Sequence, residues 1–259
     1  MIIKTIFSLI LLKVTSIESK VGSQSTHNED IRKCYQTKDE LSLTKLEPKF
    51  EAKPCGDHQA VSIFILSAAT TAGNYYLKRQ AQRKTWVSDA KEHNISVYFV
   101  IALSENETTN QLLKEESKQY KDMIQMQYID NYWNITLKTV SILRWAQNKC
   151  NNSKLIIKTD DDTILNINKV LNSLDQFKSG ITGSVLSYSF LEIECESKYN
   201  LEQKIKMPYA LGAIYAITTD VIPKLLATLE TYSGRILDQE DLFITGVLAK
   251  KQVFHYLKD

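Results

Sequence analysis

The sequence has 259 residues, 43 % of them hydrophobic and 24 % charged, with a formal net charge of +2. That length can bury the core of one large domain or two small ones. The near-zero charge without a long Lys/Arg run argues against a nucleic-acid partner. Only eight Gly and four Pro exclude a collagen-like or low-complexity chain.

The chain opens MIIKTIFSLILLKVTSI, with Lys4 ahead of the apolar run Thr5–Leu12, Lys13 after it and polar residues from Ser16. A basic start followed by an apolar stretch of roughly 7–15 residues has the shape of a secretory signal. It is shorter than the about 20 apolar residues that span a bilayer. Residues 1–17 are therefore expected to be a signal peptide or signal anchor, and 18–58, polar and without a sustained period, a stem or linker. Retained, the segment would attach the protein to a membrane; cleaved, it would release a secreted one. Sequons at Asn94, Asn106, Asn134 and Asn151 agree with a luminal compartment. The four cysteines, Cys34, Cys55, Cys150 and Cys195, permit three pairings, and none has the CxxC spacing of a zinc ribbon. Cys150 and Cys195 read equally well as buried thiols.

The folded part is expected from residue 59. Ala60–Ser67 (AVSIFILS) is a nearly continuous apolar run that suits a strand buried on both faces. A helix over Tyr76–His93, a buried strand over Ile95–Leu103, a charged helix over Glu107–Tyr120 and a short strand over Met123–Tyr128 follow. Trp133–Lys149 is an amphipathic helix, and Leu155–Lys158 a strand. Beyond Ile167 come a helix to about Phe177, strands near Ile181–Tyr188 and Leu211–Ile217, and helices near Thr219–Thr231 and Gln239–Lys251. Strands alternating with helices imply an α/β fold with a mainly parallel, Rossmann-like twisted sheet flanked by helices. Ligands of such sheets bind beyond the carboxyl ends of the strands.

One such end carries Lys158-Thr159-Asp160-Asp161-Asp162. Three adjacent carboxylates repel one another and persist where a cation or water compensates them. Mg²⁺ and Mn²⁺ bind readily through one or two carboxylates plus substrate phosphates. In extended backbone the first and third side chains share a side, so Asp160 and Asp162 would address one metal while Asp161 points elsewhere. A solvated acidic loop or a helix cap is the bland alternative. Arg79 and Arg83 stand four apart on one helix face, where their guanidinium groups would meet a diphosphate; a solvated basic face is the alternative there.

The blocks Arg79…Arg83-x-Thr85-Trp86, Asp130-Asn-Tyr132-x-Asn134-Ile-Thr136-Leu137-Lys138-Thr139, Lys158-x-Asp160-Asp161-Asp162, Pro208-Tyr209-x-x-Gly212-x-x-Tyr215 and Glu240-Asp241-Leu242-Phe243 occur in that order. Together they resemble the β-1,3-galactosyltransferase family over about residues 60–250. The resemblance implies a GT-A type glycosyltransferase domain at 59–259, a UDP-sugar donor, and Mn²⁺ (or Mg²⁺) held through Asp160 and Asp162. It further implies inverting transfer of a hexose to a glycan acceptor on a glycoprotein or glycolipid, in a β-1,3 linkage, in the Golgi lumen. Donor contacts are expected from Ser67, Arg79, Arg83, Lys138, Asp160, Asp161 and Gly212. The acidic pair is expected to supply the catalytic base, Asp241, with Glu240 capping the helix or binding acceptor hydroxyls. Inverting displacement needs such a carboxylate within about 2.6–3.2 Å of the acceptor hydroxyl. In this family pattern a Gly follows Glu-Asp-x-x-x; here it falls one residue later, at Gly246, and His255 is the nearest candidate for a further metal ligand. A catalytically inactive sugar-binding or chaperone-like homologue is the second reading, against which intact Asp160, Asp162 and Asp241 count.

Overall fold

A computed structural model describes residues 46–56, 59–70, 74–177, 179–186, 207–233 and 236–249. The expected signal or anchor at 1–17, Cys34, Cys195 and His255 lie outside the described residues.

Seven strands form one sheet: β1 (Pro48–Phe50), β2 (Val61–Leu66), β3 (Ser96–Leu103), β4 (Met123–Ile129), β5 (Leu155–Asp160), β6 (Ile181–Leu186) and β7 (Tyr209–Thr218), in the spatial order β1-β4-β3-β2-β5-β7-β6. The inner run β4-β3-β2-β5 is parallel, and β1 and β7 run against it. All six β2 residues are buried. Alternate side chains then serve two separate cores: Val61, Ile63 and Ile65 one, Phe64 and Leu66 the other. The second core takes α4 (Ile135–Lys149) through Leu137, Val140 and Leu143, together with α6 (Ile222–Thr231) and the π-helical segment Leu242–Leu248. The first takes α2 (Trp86–Glu92), α3 (Glu107–Tyr120) and α5 (Ile167–Asn172) through Trp86, Leu113 and Val170. The result is the expected mostly parallel sheet flanked by helices on both faces.

Four differences from the expected elements matter. The helix expected over Tyr76–His93 is two, α1 (Tyr75–Arg83) and α2, because the Thr85 hydroxyl donates back to the carbonyls of Ala81 and Gln82 and its backbone leaves helical geometry. β5 runs two residues further than expected: Thr159 and Asp160 pair with Ile65 and Leu66 of β2, so the acidic triplet begins inside the ladder. The last helix contains a π-helical turn, a form frequent at functional sites. Finally, β1 lies within the stretch read as stem. Leu46 and Ala52 beside it are buried, and a Cys55–Cys150 disulfide with Cα atoms 4.9 Å apart fastens this stretch to the end of α4.

Candidate active site

The chain leaves β2 to build β3 and β4 on one side, then returns through α4 to place β5 on the other. Ligands of open α/β sheets bind at such a reversal of strand order. Leu66 and Asp160, the last residues of β2 and β5, are direct partners there. Beyond them opens a cavity of about 380 Å³, lined by 66–70, Tyr75, Lys78, 130–132, Ile135, Lys138 and the whole triplet 160–162.

Asp160 Oδ1 accepts from Lys158 Nζ at 2.8 Å. Asp161 accepts from the Ser67 hydroxyl and from Lys78 Nζ, both at 3.1 Å. Among the described residues no donor reaches the Asp162 carboxylate. Burial pushes the Asp160 carboxyl above its ordinary pKa; Lys158 opposes the rise, and the like charges of Glu240 and Asp162 add to it. Asp161 is also raised, chiefly by burial and further by Asp162, against the pull of Lys78 and Ser67. Two ammonium groups thus leave the triplet under-compensated, and another positive charge there is favourable. Among the described residues no three metal-binding side chains converge. Mg²⁺ and Mn²⁺ need only one or two carboxylates beside substrate phosphates, and Asp160 and Asp162 are carboxylates on the cavity wall. The donor set fits such an ion.

The second acidic element differs from expectation. Glu240 is 4 % exposed, and both its oxygens are engaged: one receives the Tyr215 hydroxyl, the other faces Lys158 Nζ at 3.2 Å. Among the described residues no backbone N–H at the helix start donates to it; its partners are Tyr215 and Lys158. Asp241 Oδ1 accepts from Leu242 N and Oδ2 from Gly212 N, each at 2.8 Å. Asp241 is half-buried and, unlike Glu240, carries no cation partner among these contacts. Gly212 brings backbone close to this carboxylate and lies outside the cavity lining.

The arginines correct the sequence reading. Arg83 donates to both oxygens of Asp122 and to Glu116, with its guanidinium 3.9 Å from the Tyr120 ring centre and 4.7 Å from that of Phe99. It is a buried clamp between α1, α3 and the start of β4, and it does not line the cavity. Burial works against the charges, yet the mutual pairing holds the Arg83 pKa above and the Glu116 pKa below their ordinary values. Arg79 grips Glu116 with two hydrogen bonds of 2.9 and 2.6 Å and, on the cavity side, donates to the Ser67 hydroxyl at 3.2 Å and to the Ala68 carbonyl at 3.4 Å. It supports the site through Ser67.

Lys138 does line the cavity, but its ammonium is held by Asp130 at 2.7 Å and by the Ser67 carbonyl at 2.7 Å. Asp130 also accepts from Ala69 N and Ala102 N, fixing the loop after β2. Lys158 and Asp130 head two of the motif blocks in the sequence but were given no role there, and Lys78 was not singled out. Lys158 had a signal, a charge inside an otherwise apolar strand; Lys78, one residue before Arg79, had none.

The galactosyltransferase family profile matches residues 77–258. The chain belongs to that family, and the acidic triplet, Gly212 and the Glu240–Asp241 pair all fall in the matched range. The chain is similar to beta-1,3-galactosyltransferase 1 of Mus musculus, 26 % identical over 204 residues, covering 74 % of this chain and 61 % of that protein. It is also similar to UDP-GalNAc:beta-1,3-N-acetylgalactosaminyltransferase 1 of Rattus norvegicus, 29 % identical over 176 residues, 62 % of this chain and 53 % of that protein. The matched region thus spans less than two thirds of these relatives. A solved structure of mouse xyloside xylosyltransferase 1, apo form, is 10 % identical with a TM-score of 0.34, covering 78 % of this chain and 85 % of that one; a likeness at this level carries no argument.

Proposed function

We propose that the protein transfers a hexose, galactose or an N-acetylhexosamine, from a UDP-sugar to a glycan acceptor with inversion and a β-1,3 linkage. The observation that carries this reading is the under-compensated triplet Asp160–Asp162 opening onto the cavity at the strand ends. Asp160 and Asp162 would hold Mn²⁺ or Mg²⁺, which when bound neutralises charge on the UDP leaving group. Ser67 and Lys78 hold Asp161 against the α1 side of the cavity, and Lys138 with Asp130 sets the loop that walls it. Asp241 is the base that accepts the acceptor hydroxyl's proton, because two backbone N–H groups fix its carboxylate with no cation partner, whereas Glu240 is engaged by Lys158. The Cys55–Cys150 disulfide supports maturation in an oxidising lumen, with the Golgi as the site of action and membrane attachment or secretion decided at the N-terminus.

The test is turnover of UDP-galactose, UDP-N-acetylglucosamine and UDP-N-acetylgalactosamine by the purified full chain, with Mn²⁺ and with a chelator. Metal-dependent release of UDP is the expected result. UDP binding without release from any of the three would favour the inactive homologue instead.

A further inference from the structure

Lys158 sits in the middle of β5, directly opposite Tyr215 of β7, and is 3 % exposed. Lysine is almost never so buried unless paired, since an ammonium removed from water must recover its hydrogen bonds. Here it finds three partners: it donates to the Gly212 carbonyl at 2.6 Å and to Asp160 Oδ1 at 2.8 Å, and pairs with Glu240 Oε2 at 3.2 Å. These come from β7, the end of β5 and the start of the last helix, elements far apart in sequence. Gly212 relays the contact, since its N–H donates to Asp241 Oδ2 at 2.8 Å while its carbonyl receives Lys158. The opposite oxygen of Glu240 is fixed by the Tyr215 hydroxyl. A continuous chain of hydrogen bonds thus runs from Asp160 through Lys158 and Gly212 to Asp241.

We propose that Lys158 is a positioning residue that sets the metal-side carboxylate Asp160 and the base Asp241 in register, so one buried ammonium couples the donor and acceptor halves of the site. The inference rests on the transferase reading above. Stability alone does not account for the arrangement: buried ion pairs replaced by apolar side chains of similar volume are often neutral or stabilising, and the neighbouring positions Ile156 and Ile157 on the same strand are apolar. Nor does Lys158 touch substrate itself, with three partners around its ammonium and no exposed face. It acts through Asp160 and through Gly212.

The coupling predicts a particular defect. Hydrolysis of the donor requires only the metal end, whereas transfer requires both ends in register. We would compare the full-length wild type with Lys158→Met and with the double variant Lys158→Met/Glu240→Gln, which also removes the buried Glu240 charge and leaves only Asp160, on the cavity wall, without the ammonium. With the UDP-sugar that the wild type turns over and an aryl β-glycoside acceptor, both rates are measured at saturating donor. Urea unfolding is followed in parallel. The expected result is a double variant as stable as wild type whose transfer-to-hydrolysis ratio is lower by about 10-fold or more, since a 1 Å misplacement costs on the order of 10²-fold. Its transfer kcat falls further than its donor KM rises. Equal loss of hydrolysis and transfer, or recovery of transfer in the double variant, overturns the coupling while leaving the transferase reading in place. A wild type that neither hydrolyses nor transfers any of the three donors overturns that reading first, and the coupling with it.

Discussion

The backbone N–H of Gly212 donates to Asp241 Oδ2 at 2.8 Å, and a Cβ built on Gly212 would lie 3.1 Å from that oxygen and 3.3 Å from the Asp241 Cβ and Cγ. The glycine is there for close approach to a carboxylate. Gly212→Ala must push Asp241 by a few tenths of an ångström. We expect a stability loss of about 1–3 kcal/mol, the usual cost of overpacking, and a larger fractional loss of transfer rate. Urea unfolding and steady-state kinetics check both, and full activity in the alanine variant would detach Asp241's placement from this contact.

Asp241→Asn is the sharper change. The carboxylate satisfies two backbone N–H groups, from Gly212 and Leu242, with one oxygen each. An amide has a single oxygen, so one of the two donors would face an NH₂ group, and the amide is too weakly basic to take the acceptor's proton. Transfer should fall about 10²–10⁴-fold. UDP affinity in Mn²⁺, measured by calorimetry, should change far less, because Asp241 does not line the cavity. Parallel loss of UDP binding would make Asp241 a structural residue.

The strand ends were legible because burial on both faces of a parallel sheet leaves an unbroken apolar run, as in Val61–Leu66, and because a triplet such as Asp160–Asp162 cannot hide in a core. The roles of charged residues inside the fold were less legible. Arg79 and Arg83 have the spacing of a surface face, and their meaning is set by Glu116 and Asp122, which lie 33–39 residues away in sequence. The same limit applies to β1, whose three residues have no pattern until β4 offers an edge. It applies also to Cys55, whose partner is 95 residues on. The π-helical turn after Asp241 adds a backbone register that a 3.6-residue period does not anticipate.

The Arg83 clamp gives a stability and a pH prediction. Arg83→Met leaves Glu116 partly and Asp122 largely unpaired in a buried position, and breaking such a pair costs about 3–5 kcal/mol. UDP affinity of the folded variant should match wild type, because Arg83 is outside the cavity. Burial disfavours the Glu116 carboxylate, but Arg79 and Arg83 outweigh it and hold its pKa below the ordinary value. A depressed folded pKa stabilises fully above the unfolded value of about 4.3, and that contribution is lost as pH falls through the folded value. The wild type should therefore lose stability below about pH 4.3 more steeply than Glu116→Gln, in unfolding midpoints measured from pH 6 downward. Parallel acid profiles would show that the pair is not linked to folding.

The disulfide is a covalent link, added to the β1–β4 pairing, between residues 46–56 and the end of α4. Removing it from the native state, by Cys55→Ser together with Cys150→Ser, should lower stability by about 2–5 kcal/mol. Hydrogen exchange should rise first in 46–56, which would still be tied by Trp145 Nε1 and Lys149 to Glu51, by Tyr98 to the Lys53 carbonyl and by the pairing of β1 with β4. Non-reducing peptide mapping of secreted protein should recover Cys55 joined to Cys150. Recovery of either cysteine as a free thiol there would contradict the pairing.

Asp162 carries the test of the metal reading. It accepts no hydrogen bond from the described residues, so truncating it breaks none of them, and its charge helps raise the pKa of both Asp160 and Asp161. Asp162→Ala should accordingly leave the metal-free protein as stable as wild type, or more stable, because it removes repulsion from the triplet. Its effect on binding should be opposite. Changes in the shell around a metal site cost about 10–100-fold in affinity, and loss of a direct oxygen ligand should cost at least as much in UDP affinity when Mn²⁺ is present. Without Mn²⁺ the variant and wild type should bind UDP alike, which separates a lost ligand from a damaged cavity. Calorimetric titration of UDP with and without the metal, beside thermal unfolding of both proteins, reads all three outcomes. If the variant retains the full Mn²⁺ enhancement, Asp162 is not a ligand, and the ion must be held by Asp160 with Asp161, whose carboxylate would first have to release Lys78 and Ser67.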